Sequence, residues 1–217
     1  AMLENVGLSV LPLLGMFIAA FSASAALNRE IEDKTALTVI AKPVRRSTFV
    51  LGKCLGVAMA VTLAYYLGSL VYLLVLRHHV MSNAAAQVDW PVIVLGLTAL
   101  LTAILIAGAG NYLFGWTFMS SAVLALAATL TVAMALVSVI GKGWTFISPA
   151  DTFGPENIRP QILVGIYLTF LAAILLTTVV TAASTRLGQI GTILVGVGVL
   201  FIGSMHPWLM DKLSVHM

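Results

Sequence analysis

PVIVLGLTALLTAILIAGAGNYLFGWTFMSSAVLALAATLTVAMALVSVI, residues Pro91–Ile140, decides what kind of protein this is. It holds two apolar runs, about Pro91–Ala109 and Thr117–Ile140, joined by GNYLFGWTF (Gly110–Phe118), which has no charged residue. An α-helix needs roughly 20 apolar residues to cross a bilayer core about 30 Å thick. Each run meets that need, and neither alternates in the in–out manner of a barrel strand. The stretch reads as two membrane helices with a tight connection.

The same pattern recurs outward from it, in about Val6–Leu27, Phe49–Leu76 and Ile162–Ala183. A last run, about Ile190–Met205, is glycine-rich and short. The expected fold is all-α: a polytopic transmembrane helical bundle of about six membrane helices, with 1–217 as a single membrane domain. Composition agrees. Of 217 residues, 60% are hydrophobic and only 9% charged, and the mean hydropathy is +1.07. Soluble domains carry roughly 25% charged residues, so a globule of this composition could not cover its apolar surface. Cys54 is the sole cysteine. It rules out an intrachain disulfide and reads as a packed thiol. The opening AMLENVGLSV lacks the basic n-region of a signal peptide and begins with Ala1, so a fragment is expected. Gly52, Gly56, Gly191, Gly196 and Gly198 are spaced to allow close helix approach.

Three connections are long enough to act outside the bilayer: 28–47, 77–90 and the Gly- and Pro-rich 141–160. The last is expected to be irregular or to form short interfacial helices. Lysine and arginine set the orientation. Arg29, Lys34, Lys42, Arg45, Arg46 and Lys53 make up six of the eleven basic residues, which places 28–47 in the cytoplasm. Successive crossings then put 77–90 and 141–160 outside, with Arg77, Lys142, Arg159 and Lys212. Trp90, Trp144 and Trp208 fall at outer boundaries and Tyr112 and Trp116 at an inner one, where amphipathic rings favour headgroup depth. His78 and His79 have no metal-ligating neighbour in sequence and read as interfacial polar residues.

The cytoplasmic connection is NREIEDKTALTVIAKPVRRSTFVLGKCLG, Asn28–Gly56. Glu30, Glu32 and Asp33 follow directly on a membrane helix. A short apolar-containing run, Thr35–Ala41, comes next. Lys42-Pro43 stops any helix, because the residue before proline avoids the α region. Arg45 and Arg46 form a basic pair, and Ser47 or Thr48 is placed to cap the following helix. The outcome is a short amphipathic helix along the cytoplasmic face, with Leu37, Ile40 and Val44 as its apolar contacts. Lipid-binding helices carry Lys and Arg on their polar face. The mixed charge here suits a protein partner better.

This stretch resembles the cytoplasmic connection of ABC-2-type transporter permeases. There a membrane helix ends in an acidic cluster and a threonine, an apolar run and a Lys-Pro-Val-x-Arg element follow, and a Gly-Lys pair opens the next helix. The matching residues are Glu30-Ile31-Glu32, Thr35, Lys42-Pro43-Val44-Arg45-Arg46 and Leu51-Gly52-Lys53. Ser184-Thr185-Arg186-Leu187, before the last apolar run, is similar to larger bacterial members. The resemblance implies a multi-pass permease in the inner or plasma membrane of a bacterial cell. Its coupling helix, carried by Glu30, Glu32, Thr35, Leu37, Ile40, Pro43, Arg45 and Arg46, would seat in a separate ABC-type ATPase subunit. A second permease subunit would complete a homodimer or heterodimer. The family's first membrane helix has no counterpart here, which again implies a fragment.

Absences narrow the function. No phosphate-cradling G-x-x-x-x-G-K-[ST] occurs, so ATP hydrolysis is expected on the partner and this chain is expected to be no enzyme. No cofactor and no nucleic acid is called for. The membrane runs read as free of the charged residues that mark ion or proton paths and acid–base catalysis. The alternative is a membrane enzyme or assembly subunit acting through external Asp151, Glu156 and Arg159. Orientation is testable in a Cys54→Ala background. Cysteine replacing Lys34 will resist a membrane-impermeant thiol reagent in intact cells, and cysteine replacing Glu156 will react; reversed labelling refutes the topology.

Overall fold

Three side chains in five are hydrophobic, too many to be left in water, and the chain answers by forming helices long enough to carry them through lipid. The computed structural model describes residues 2–32, 46–78, 88–154, 158–184 and 186–214. Within these, the side chains of 2–4, 24–32, 46–50, Lys53, Ser204 and 206–214 are not described. Among the described residues there are seven helices: α1 Met2–Glu32, α2 Arg46–His78, α3 Trp90–Phe114, α4 Phe118–Val139, the one-turn α5 Pro149–Thr152, α6 Pro160–Ser184 and α7 Gln189–Ser214. Five of them hold apolar stretches long enough to cross a membrane: Asn5–Ala23, Cys54–His78, Trp90–Phe114, Phe118–Val139 and Pro160–Ser184. The sixth expected span is shorter: the described apolar part of α7 is Gln189–Gly203.

Several boundaries differ from the sequence reading. Helix α1 runs on through the charged turn Arg29–Glu32. Helix α2 begins at Arg46, ahead of both Ser47 and Thr48, so neither is its cap. Helix α3 continues through Asn111–Phe114, residues assigned above to the connection. Nothing in that uncharged, apolar stretch opposes helix. It stops at Gly115, whose φ of 67° is left-handed and costs glycine little. The Gly115 N–H donates to Asn111 O, and Asn111 Nδ2 donates to Trp116 O at 2.6 Å. The turn is thus three residues long, 115–117, with Phe114 and Trp116 stacked at 5.4 Å.

The contacts divide the chain into two compact units. The first comprises 1–9 and 65–168. In it α3 and α4 form an antiparallel hairpin. Its α3 side is a stripe of small buried residues, Ala99, Ala103, Ala107 and Gly110. On α4 the buried residues are Leu130, Ala133, Met134 and Val137. Small side chains let backbones approach, which matters where lipid removes the hydrophobic drive between helices. Tyr65 Oη donates to Ile166 O at 2.9 Å, and Tyr66 Oη and Thr131 Oγ1 share a hydrogen bond of 2.7 Å. These bonds tie α2 to α6 and to α4. Beyond α4 the chain turns through an antiparallel bridge between Ile140 and Phe146. Ser148 caps α5, accepting from Ala150 N–H. Buried Thr152 then donates to Ser138 O at 3.0 Å, so this loop folds back onto α4.

The second unit comprises 10–64 and 169–217. Its core joins Met16, Ala19, Ala20 and Ala23 of α1 to Val57 and Val61 of α2 and Leu176 and Val180 of α6, with Ile193 and Leu200 of α7 against it. Gly196 of α7 sits where a Cβ would lie 3.1 Å from Met16 Cγ and 3.2 Å from Val180 Cγ2. Gly198, Gly52 and Gly56 meet nothing within 4 Å, so of these only Gly196 is needed for close approach. Gly196→Ile will lower stability by about 1–3 kcal/mol, the usual cost of overpacking, and Gly198→Ile will not. The thermal aggregation midpoints of the two detergent-solubilised variants measure the difference.

Candidate functional site

The residues singled out from sequence lie mostly where the structure is silent. Thr35, Leu37, Ile40, Pro43 and Arg45 are outside the described residues. Glu30 and Glu32 are in the last turn of α1 and Arg46 opens α2, without described side chains. Of the alternative external set, Asp151 and Arg159 are exposed and Glu156 is outside the described residues.

A different pair is on view. Helix α2 does not end before Arg77 but carries it in its last turn, 3% exposed. Asp89, the residue before α3, is fully buried at 0%. Arg77 Nη1 lies 3.4 Å from Asp89 Oδ2. Arg77 is the last residue but one of the candidate span Cys54–His78, at its boundary rather than in its interior. Pairing is the reason it is tolerated: buried charges occur with a partner or not at all. Local sequence could not show this, since the partner comes from the next helix.

Geometry favours both charges. A helix C-terminus carries partial negative charge and an N-terminus partial positive. Arg77 stands at the first kind of end and Asp89 at the second. Asp at an N-cap commonly accepts a bond from the first turn. Asp89, with φ −81° and ψ 80°, makes no such cap bond. Neither of its carboxylate oxygens accepts a hydrogen bond among the described residues. Its charge is therefore balanced chiefly by the guanidinium.

Beside this pair, His78 Nδ1 is likewise buried without a hydrogen-bond partner among the described residues. A groove of about 260 Å³ between α3 and α4 is lined by Leu95, Thr98, Thr102, Thr129 and Val132 among others. Thr98 and Thr129 turn their hydroxyls to the backbone at Leu95 O and Ala125 O. The groove offers methyls more than donors.

Long apolar helices joined by short connections make this an all-α, polytopic membrane protein. The chain belongs to the ABC-2 transporter family: residues 3–145, well over half of it, match the family described as ABC-2 family transporter protein. It is accordingly a membrane permease of an ABC transporter, a transport subunit rather than an enzyme. No curated protein and no solved structure matches it.

Removing one member of a buried pair strands the other. Arg77→Ala will destabilise the protein by about 3–5 kcal/mol, whereas the apolar replacement Arg77→Met/Asp89→Leu will be close to neutral. Thermal midpoints of the purified variants give the comparison.

Proposed function

We propose that this chain is the membrane half of an ATP-driven transporter, with 1–217 working as one permease domain. It forms part of the substrate path and takes its drive from a separate ABC-type ATPase docked on 28–47. The observation that carries the reading is the family match, whose bounds, 3–145, include that segment. The helix ends support it. Helix α1 stays helical through Arg29, Glu30 and Glu32, whose charges belong in water. The chain therefore enters the segment from a turn already clear of hydrocarbon. Helix α2 begins at Arg46, so in sequence the segment is joined directly to a membrane helix at each end. A partner pressing on such a short segment acts on both helices at once.

On this reading Leu37 or Ile40 is the buried anchor, and Glu30, Glu32, Arg45 and Arg46 set the docking register at the rim. Thr35 opens the docked run and Pro43 ends it. Rim charges affect association rate and specificity more than affinity. Two permease subunits, alike or different, enclose the path in the inner or plasma membrane of a bacterial cell.

Burying one leucine is worth about 1.5–3 kcal/mol, so Leu37→Asp will weaken ATPase co-purification roughly ten- to hundred-fold without disturbing membrane insertion. Arg45→Ala will have a smaller, salt-sensitive effect. The chain purified alone will not hydrolyse ATP. If Leu37→Asp leaves both co-purification and transport-dependent hydrolysis unchanged, 28–47 is only a headgroup-bound connector.

A further inference from the structure

We propose that Arg77 and Asp89 form a switchable latch: paired and buried as seen here, and parted and hydrated when the end of α2 and the start of α3 separate during transport. The proposal rests on the permease reading above and adds to it a moving part.

The placement comes first. Helix α2 leaves segment 28–47 at Arg46, and Arg77 is in its opposite, last turn. Asp89 opens α3, so the pair joins two consecutive membrane helices at one end. The contact is the more telling because Asp89 gives up a helix-capping role to make it.

The energetics then favour two states and nothing between. A buried carboxylate loses its water, and only a close cation compensates. Strong arginine–carboxylate pairs are bidentate, with N–O distances near 2.7–2.9 Å. Here the approach is 3.4 Å, and Asp89 accepts no hydrogen bond among the described residues. Asp89 is thus held by charge rather than by directional bonds of its own, and parting it from the guanidinium breaks no hydrogen bond to the carboxylate. Once water reaches it, both ions regain hydration and attraction across water becomes weak. A half-open state, with the charges apart but still dry, is the costly one. The helix ends therefore close fully or open fully. If holding the helices together were the only task, two apolar side chains would do as well.

Val88, half-buried beside Asp89, supplies a reporter. In a Cys54→Ala background, Val88→Cys is labelled with a membrane-impermeant maleimide in right-side-out and in inverted vesicles. Without nucleotide, Asp89→Asn will raise the labelling rate by about tenfold or more, the factor that corresponds to about 1.4 kcal/mol of lost closure. Arg77→Met/Asp89→Leu, which keeps a dry contact and its fold, will label at the parent rate. In the complex with its ATPase, ATP turnover will speed labelling of the parent and leave the Met/Leu pair slow. The latch is refuted if Asp89→Asn labels like the parent. It is equally refuted if ATP turnover in an active complex leaves the parent's rate unchanged. Failure of the permease reading has another signature: no ATPase co-purifies, although the nucleotide-free comparison goes as expected.

Discussion

Hydrocarbon offers no hydrogen bond, and nearly every feature of this chain follows from that. Backbone N–H and C=O groups must pair within each segment, so the described membrane-crossing segments are helices. Side-chain hydroxyls meet the same demand by turning to their own helix. Thr177 donates to Ala173 O, Thr181 to Thr177 O and Ser184 to Thr181 O, a ladder of satisfied groups down the buried face of α6. Lipid also cancels the hydrophobic drive between helices, leaving close packing to hold them. Alanine stripes on α1 and α3 and Gly196 on α7 meet that requirement.

The Arg77–Asp89 pair answers the same constraint with charge. Each ion is placed at the helix end whose dipole favours it, and each offsets part of the other's loss of water. The cost falls on specificity of geometry, since neither residue can move alone. Helix α2 then spans 33 residues, about 50 Å at 1.5 Å per residue, from segment 28–47 to this pair.

Sequence made the fold legible because the membrane signal is long-range in composition and local in pattern. Runs of span length need no tertiary context, and the short α3–α4 connection was visible in GNYLFGWTF. Boundaries were less legible. Asn111–Phe114 is turn-like in composition yet helical, because only Gly115 supplies the left-handed conformation that ends the helix. The candidate site divided the same way. Thr35–Val44 was found from charge pattern and Lys42-Pro43, a local signal, though its geometry lies outside the described residues. Arg77 was read as a loop cation, and Asp89 was not singled out. Only the folded chain brings residues from two helices together, and charge alone in sequence does not distinguish a paired ion from a solvated one.

Between Trp90 and Gly141 the chain carries no charged residue, and the Thr98 and Thr129 hydroxyls on the α3–α4 groove are spent on its own backbone. Dispersion and apolar burial are non-directional and scale with area. Such surfaces meet their surroundings through bulk and apolarity, and among the described residues buried charge is confined to Arg77 and Asp89, at the end of α2 and the start of α3.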